Sequence, residues 1–218
     1  GKKVTARDFK WSIERAADPA TLSLTADTYL GDNDGVKEKL SGKAAEVSGV
    51  RVIDDYTLEI AIKEPIAYFL QKMTYQTAFV LDRETVGAMS LRDAFQVKVN
   101  GTGPFRLAEY VPDDKLVLER NKDYYRERQG NVEKFVFKAG GSLMTQYENN
   151  EIWMSSIGVV DLERVTDPTN SLSKEFRKVS QLSFGYIAFN VTTPPFDDPK
   201  VRQAFAMAVD NELILRAV

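Results

Sequence analysis

The chain has 218 residues, of which 43% are hydrophobic and 28% charged, values that are typical of a soluble globular protein. Its 29 basic and 32 acidic residues are mixed along the sequence and leave a net charge of -3, so nothing predicts a nucleic-acid surface, and no apolar run approaches the roughly 20 residues that span a bilayer. Histidine and cysteine are absent, which excludes a Ser-His-Asp triad, a cysteine nucleophile and an ordinary zinc site. No other motif singles out a reactive group, and we expect no catalytic residues, no metal and no cofactor.

The first predicted element is a helix over residues 5–17. Thr5 and Asp8 have the spacing of a capping box, in which each side chain bonds the backbone N–H of the other residue. Phe9 and Ile13 recur at helical spacing and indicate an apolar face directed toward the core.

Two β-hairpins are predicted after this helix. Residues 50–53 and 57–62 alternate between apolar and polar side chains on either side of an Asp-Asp turn. Residues 105–111 and 116–119 form a second pair of such runs, separated by Pro-Asp-Asp. Both turns carry Asp residues, which favour chain reversal.

Two short polar segments resemble ligand loops, but their surroundings favour plain turns. Residues 32–35, Asp-Asn-Asp-Gly, lack the further ligands of an EF-hand and are predicted to be a solvated turn. The glycine-dense loop 100–104 could cradle a phosphate, but Pro104 leads into a strand and no helix N-terminus follows. We therefore predict a tight turn there as well.

The second half of the chain mixes strands and helices without strict βαβ alternation. Its predicted elements are a strand at 132–138, a helix that Ser142 caps and that runs to about Asn150, a short strand at 152–154, a helix at 161–165 and a mostly extended segment at 176–190. This order predicts an α+β fold with a mixed sheet.

The last predicted helix begins at Asp198 and Pro199, because Asp is a favoured N-cap and Pro fits the first helical position. A strand at 185–190 and a stiff, proline-containing crossover precede it. The apolar residues of the helix fall on one stripe, which we expect to face a core. The stripe consists of Val201, Ala204, Phe205, Ala208 and Val209.

Four blocks of this sequence, taken in order, resemble a known family. They are Val4-Thr5-Ala6-Arg7-Asp8-Phe9, Gly49-Val50-Arg51-Val52-Ile53-Asp54-Asp55-Tyr56, Asn100-Gly101-Thr102-Gly103-Pro104-Phe105 and Pro195-Phe196-Asp197-Asp198-Pro199. The family is the dipeptide/oligopeptide-binding family of ABC-transporter extracellular solute-binding proteins, family 5. One segment departs from it, since Asn150-Glu151-Ile152-Trp153 stands where the family usually has Gly-Glu-Ile-Asp.

The resemblance implies a mixed-sheet lobe of a two-lobed, clamshell periplasmic-binding-protein-like fold, of which this chain is an internal fragment. It divides the chain into a helix-plus-hairpin subdomain at 1–98, a mixed-sheet part at 99–190, and the crossover and first helix of a truncated second lobe at 191–218. It also implies a receptor without catalysis that delivers peptides or similar solutes to an ABC permease. Such a receptor is extracytoplasmic, either periplasmic or lipid-anchored at the cell surface in the full-length parent.

The resemblance places ligand contacts on three segments. An extended peptide can pair with the backbone of a strand edge whatever its side chains, and a glycine there would let it approach closely. A tyrosine over the ligand would supply an apolar face and a hydroxyl group. Each segment also has a structural interpretation, as a core strand, a polar surface turn or a helix-packing tyrosine. The implied ligand-binding residues are Ser183, Phe184, Gly185, Ser155, Ser156, Ile157, Thr25 and Tyr29.

Two other functions stay open at this point. A carboxylate-based hydrolase, for example a glycosidase, needs two acids held across a cleft at a defined separation, which a sequence cannot measure. The same fold could instead serve as the ligand-sensing domain of a regulator. For the chain by itself we expect weak solute binding or none, since a clamshell gains affinity by enclosing its ligand. We also expect a dimer through exposed interlobe surface.

Overall fold

The helices and strands of this chain fall into two compact units, one ending at Gly140 and the other beginning at Gly141. Helices alternate irregularly with antiparallel strands, which confirms the α+β class. The division into three parts stays a prediction. The structure is a computed structural model that describes residues 2–87, 100–127, 129–180 and 185–217.

The described part of the first unit contains five α-helices and two 3-10 turns. The first helix begins as predicted, because the N–H and the hydroxyl group of Thr5 both donate to the Asp8 carboxylate, at 2.7 and 2.9 Å. No helix in the described ranges combines the length and the apolarity that crossing a bilayer requires. The bounds are Ala6–Ala16 (α1), Ala26–Leu30 (α2), Val36–Leu40 (α3), Phe69–Lys72 (α4) and Arg83–Val86 (α5), with 3-10 turns at Pro19–Thr21 and Gln76–Ala78.

Two antiparallel sheets accompany these helices. Their strands are Val50–Asp54 (β1), Thr57–Ile60 (β2), Phe105–Val111 (β3), Lys115–Arg120 (β4) and Lys134–Lys138 (β5). Both predicted hairpins are confirmed, since Val50 pairs with Ile60 across β1 and β2, and Leu107 pairs with Leu118 across β3 and β4. The predicted strand at 132–138 is also present as β5, which pairs with the other edge of β4.

The core of the first unit lies between α1, α2, α3 and the β1–β2 hairpin. Leu30 and Val36 are fully buried, and Ile13 on α1 is 3% exposed. The buried Ser12 accepts the N–H of Leu81 on its hydroxyl oxygen at 2.9 Å, which ties the segment before α5 to α1. The other buried residues of this core are Ala17, Val47 and Val50.

Short helices make up the described secondary structure of the second unit. Met144 on the first of them and Val165 on the second are buried. Arg164 forms ion pairs with Glu148 and with Asp161, so that the first two helices are joined through charged groups. The helices are Leu143–Glu148 (α6), Val159–Thr166 (α7), Pro199–Ala208 (α8) and Asn211–Ala217 (α9), with a 3-10 turn at Ser171–Lys174.

The predicted start of the last long helix is confirmed at α8. The Asp198 carboxylate accepts a backbone N–H of the first turn at 2.8 Å, and Pro199 occupies the first helical position. The rings of Phe189 and Phe196, which precede α8, pack against each other and against Phe205, with centroids 5.1 to 5.8 Å apart. These aromatic contacts hold the crossover against the helix.

Three expectations for the second unit are wrong. Residues 152–154 form no strand, and Trp153 is 99% exposed. Residues 185–190, the predicted strand before the crossover, form no strand either. The predicted apolar stripe of α8 is not buried either, since Ala204 and Ala208 are exposed and Phe205 is 50% exposed. Among the described residues of this unit no strand is present that could pair with residues 152–154 or 185–190. The contacts of Phe189 and Phe196 with Phe205 leave most of the apolar stripe of α8 uncovered.

Candidate functional site

Thr25 and Tyr29, two of the predicted ligand-binding residues, contact the segment that follows α4. Thr25 is the N-cap residue of α2, and its hydroxyl oxygen lies 2.7 Å from that of Thr77. The ring of Tyr29 stacks on the ring of Tyr75, with centroids 3.6 Å apart and an angle of 2° between the planes. The structure therefore brings two predicted residues together with two that the sequence did not single out.

Charged groups flank this tyrosine pair. Asp32, just after α2, forms an ion pair with Lys72, the last residue of α4. Loss of solvent raises the pKa of the Tyr29 phenol, and the neighbouring Tyr75 raises it further through its charge and a hydrogen bond, whereas Lys72 acts in the opposite direction. The Tyr29 hydroxyl group therefore shares a hydrogen bond with Tyr75, and its oxygen can accept a further hydrogen bond from a ligand.

These contacts define what we call the tyrosine cluster, which consists of Thr25, Tyr29, Asp32, Lys72, Tyr75 and Thr77. Tyr29 and Tyr75 are both half-buried. Because Tyr75 covers one face of the Tyr29 ring, a solute could reach only the other face, the ring edge and the hydroxyl group. The cluster thus offers a ligand a limited apolar surface beside hydroxyl groups that donate and accept hydrogen bonds.

Ser155, Ser156 and Ile157, the second predicted group, lie just before α7 in the second unit. The Ser155 hydroxyl group donates to the carbonyl oxygen of Ser156 at 2.9 Å, while the Ser156 side chain is exposed and Ile157 is half-buried. Trp153 and Met154 precede them and are 99% and 86% exposed. This segment can therefore present both a hydroxyl group and a large apolar surface to a solute.

Gly185, in the second unit, is exposed, and a Cβ atom built at this position would meet no atom of the described residues within 4 Å. The space beside its backbone is thus open to the main chain of a ligand. Ser183 and Phe184, which were predicted with it, lie outside the described residues. Thr25 and Tyr29 belong to the first unit, whereas Gly185 and the serine segment belong to the second.

A cavity of about 550 Å³ opens in the first unit beside the start of α1 and α5. Phe9 and Leu81 contribute apolar surface to its wall, and Asp82 contributes a carboxylate. Asp82 accepts hydrogen bonds from Lys2 Nζ and from the Thr85 hydroxyl group, both at 2.9 Å, and these bonds lower the pKa of its carboxyl group to about 2. Among the acids that the structure describes, no group of three is placed to hold a metal ion.

Asp82→Asn is expected to lower the free energy of unfolding by about 1 kcal/mol near neutral pH, since Asn keeps the helix cap but loses the charge that binds the partly exposed Lys2. Folding lowers the pKa of Asp82, so its contribution is present above the ordinary value of 3.8 and is lost as the pH falls through about 2. In denaturant unfolding at a series of pH values, the free energies of unfolding of the wild-type protein and the variant should become equal as the pH falls toward about 2. A difference in free energy that stays constant over this pH range would contradict the lowered pKa of Asp82.

Residues 1–218 match the family described as bacterial extracellular solute-binding proteins, family 5 Middle. The chain is 28% identical to the periplasmic oligopeptide-binding protein OppA of Escherichia coli and 27% identical to the probable deoxycholate-binding periplasmic protein YgiS of the same organism. Each match covers 100% of this chain and 41% of the relative. The chain therefore spans about two fifths of the length of these curated relatives.

Solved structures give the same result for the fold. The murein tripeptide binding protein MppA of Escherichia coli superposes with a TM-score of 0.87 at 25% identity, over 99% of this chain and 43% of that protein. OppA of Burkholderia pseudomallei superposes with a TM-score of 0.86 at 24% identity, over 98% of this chain and 42% of that protein. The chain thus has the fold of part of these substrate-binding proteins.

Proposed function

This chain belongs to the bacterial extracellular solute-binding proteins of family 5, and we propose that it forms part of a receptor that encloses peptides or similar solutes and delivers them to an ABC permease. Membership in this family places the chain outside the cytoplasm. The observation that carries the proposal is the family match, which extends over all 218 residues and not over one motif.

Peptides are the first ligand class that we propose for this receptor. Relatives named for oligopeptides and for a murein tripeptide support this choice, and the deoxycholate named for YgiS is the reason to include other solutes. A peptide main chain would pair with the backbone at Ser183, Phe184 and Gly185, where side-chain identity matters little. Each unit also offers side chains to a solute by itself: the tyrosine cluster in the first unit and the serine segment in the second.

We propose a binding role without catalysis. Asp18, Asp54 and Asp167 each have a lowered pKa, chiefly because their carboxylates accept hydrogen bonds from nearby backbone N–H groups. A general acid of a glycosidase needs the opposite, a carboxyl group whose pKa is raised so that it carries a proton near neutral pH. These three acids serve local turns and caps, so none of them is suited to act as the general acid of the hydrolase alternative.

Titration calorimetry of the intact protein tests this function. Peptides of increasing length would be titrated, with deoxycholate and an oligosaccharide as comparators. We expect at least one peptide to bind with micromolar or tighter affinity, equivalent to about -8 kcal/mol or better. Saturable binding of the oligosaccharide together with its hydrolysis, and no binding of peptides, would favour the hydrolase.

Tyr29→Phe in the intact protein is expected to weaken peptide binding by about 3- to 10-fold, because it removes one hydrogen-bonding hydroxyl group and keeps the stacked ring. Tyr56→Phe is the matched control, since Tyr56 is 73% exposed in the turn between β1 and β2. Titration calorimetry measures both variants. Equal affinities for the two would show that Tyr29 only packs against Tyr75.

Two partners of the receptor also remain proposals. Delivery to an ABC permease requires surface of the whole protein, of which this chain is about two fifths by comparison with its relatives. Dimerisation of the chain alone would follow from its exposed apolar side chains, such as Trp153 and Met207, which are 99% and 86% exposed. Sedimentation of the chain over a concentration range would reveal a dimer, and a purely monomeric profile would oppose it.

A further inference from the structure

The loop before β3 contains an Asn-Gly pair, Asn100–Gly101, and no other Asn-Gly pair occurs in the 218 residues. Both residues are exposed. A Cβ atom built on Gly101 would meet none of the described atoms within 4 Å. Within the described part of the chain, the Gly101 N–H donates to no hydrogen bond. As far as residues 2–87, 100–127, 129–180 and 185–217 are concerned, the backbone nitrogen of Gly101 is exposed and not engaged in a hydrogen bond.

This arrangement allows a reaction between the backbone and the side chain that precedes it. Glycine has no Cβ atom to restrict its backbone, so its nitrogen can approach the side-chain carbonyl carbon of the residue before it. The Gly101 nitrogen attacks Asn100 Cγ, the new C–N bond closes a five-membered succinimide, and the Cγ–Nδ2 bond breaks to release ammonia, which carries the amide proton away. Water then opens the ring at one of its two carbonyl carbons, giving aspartate or isoaspartate.

We propose that Asn100 is a site of spontaneous deamidation, at which the neutral side chain becomes a carboxylate on either an ordinary or an isoaspartyl backbone. The net reaction consumes one water and releases one ammonia, so it needs no enzyme, oxidant or cofactor. The product changes the local charge by one unit, and this is the kind of covalent change that alters nearby electrostatics.

Asp82 is the charged group that this change in charge affects directly. The side chain of Asn100 hydrogen-bonds to the Asp82 carboxylate, which also caps α5 and binds Lys2. After deamidation a hydrogen-bond donor is replaced by a second negative charge. Two carboxylates within hydrogen-bonding reach of each other repel, so the contact between the 100–102 loop and the N-terminus of α5 weakens.

The test is peptide mapping by mass spectrometry of the intact protein, aged in mildly alkaline buffer, with isoaspartate measured in the same digests. Asn100 should convert at least about tenfold faster than Asn121, which is 8% exposed and is followed by Lys122 in place of a glycine, so that a side chain hinders attack by the next backbone nitrogen. Gly101→Ala should slow conversion by about tenfold, since the added Cβ hinders attack although the fold has room for it. Asn100→Gln should abolish the product at this position.

Two results would overturn the proposal. One is conversion of Asn100 no faster than that of Asn121. The other is an unchanged rate in Gly101→Ala, which would mean that the glycine does not control the reaction. A second experiment tests the effect on Asp82. The variant Asn100→Asp, which has the same side chain as one of the products, should raise the pKa of Asp82 in an NMR titration. An unchanged pKa of Asp82 would contradict the proposed repulsion at the N-terminus of α5.

Discussion

Leu30→Ala is expected to lower the free energy of unfolding by about 2 to 5 kcal/mol, the range measured when a buried leucine is truncated. Leu30 is fully buried at the end of α2, where it packs with Ile13 and Val36 in the core of the first unit. Truncation removes the apolar contacts and leaves a cavity that the surrounding helices can fill only in part. Denaturant unfolding of the chain gives the change directly.

Leu24→Ala is the matched control for this truncation. It makes the same chemical change only a few residues away, but the Leu24 side chain is 97% exposed. We expect the control to change the free energy of unfolding by less than about 0.5 kcal/mol. Similar losses in the two variants would show that α2 does not pack into the core as described.

Residues 1–218 alone are expected to bind peptides at least about a hundredfold more weakly than the intact protein, because a small-molecule site derives much of its affinity from surrounding the ligand. The chain spans 41% of the length of OppA from Escherichia coli, so much of a relative's structure has no counterpart in it. Titration calorimetry of both proteins with the same peptide measures the ratio. Thermal unfolding of the chain serves as the control that it is folded when titrated.

Similar peptide affinities for residues 1–218 and for the intact protein would contradict the claim that affinity comes from enclosing the ligand. They would mean that the binding surface lies entirely within these residues. The tyrosine cluster would then be the leading candidate for this binding surface, and Tyr29→Phe would also be tested in residues 1–218 alone.

The elements that sequence reasoning predicted correctly are those set by local chemistry. Thr5 and Asp8 fixed the start of α1 because the two residues bond each other within one turn. Asp198 and Pro199 marked the start of α8 for a similar reason. The two hairpins followed from alternating side chains around a short turn, where the pairing partner is the next segment of the chain.

The errors and omissions concern contacts between segments that no local sequence pattern encodes. No local pattern indicates that Tyr29 stacks on Tyr75, because the contact depends on how α2 meets the segment after α4. Residues 152–154 have a strand-like composition, but a strand exists only with a neighbour to pair with. The apolar stripe of α8 predicted a face that packs against a core, but in the described unit Phe205 on this stripe is half exposed.

The most direct test of the account is mass spectrometry of the ligands that the intact protein retains when it is purified under native conditions without added solute. A receptor that encloses its ligand should carry a co-purified peptide or similar small solute, released on denaturation and present at a substantial fraction of one molecule per protein. An intact protein that is fully folded yet carries no solute, and that binds none of the peptides offered to it afterwards, would contradict the assignment as a solute-binding receptor.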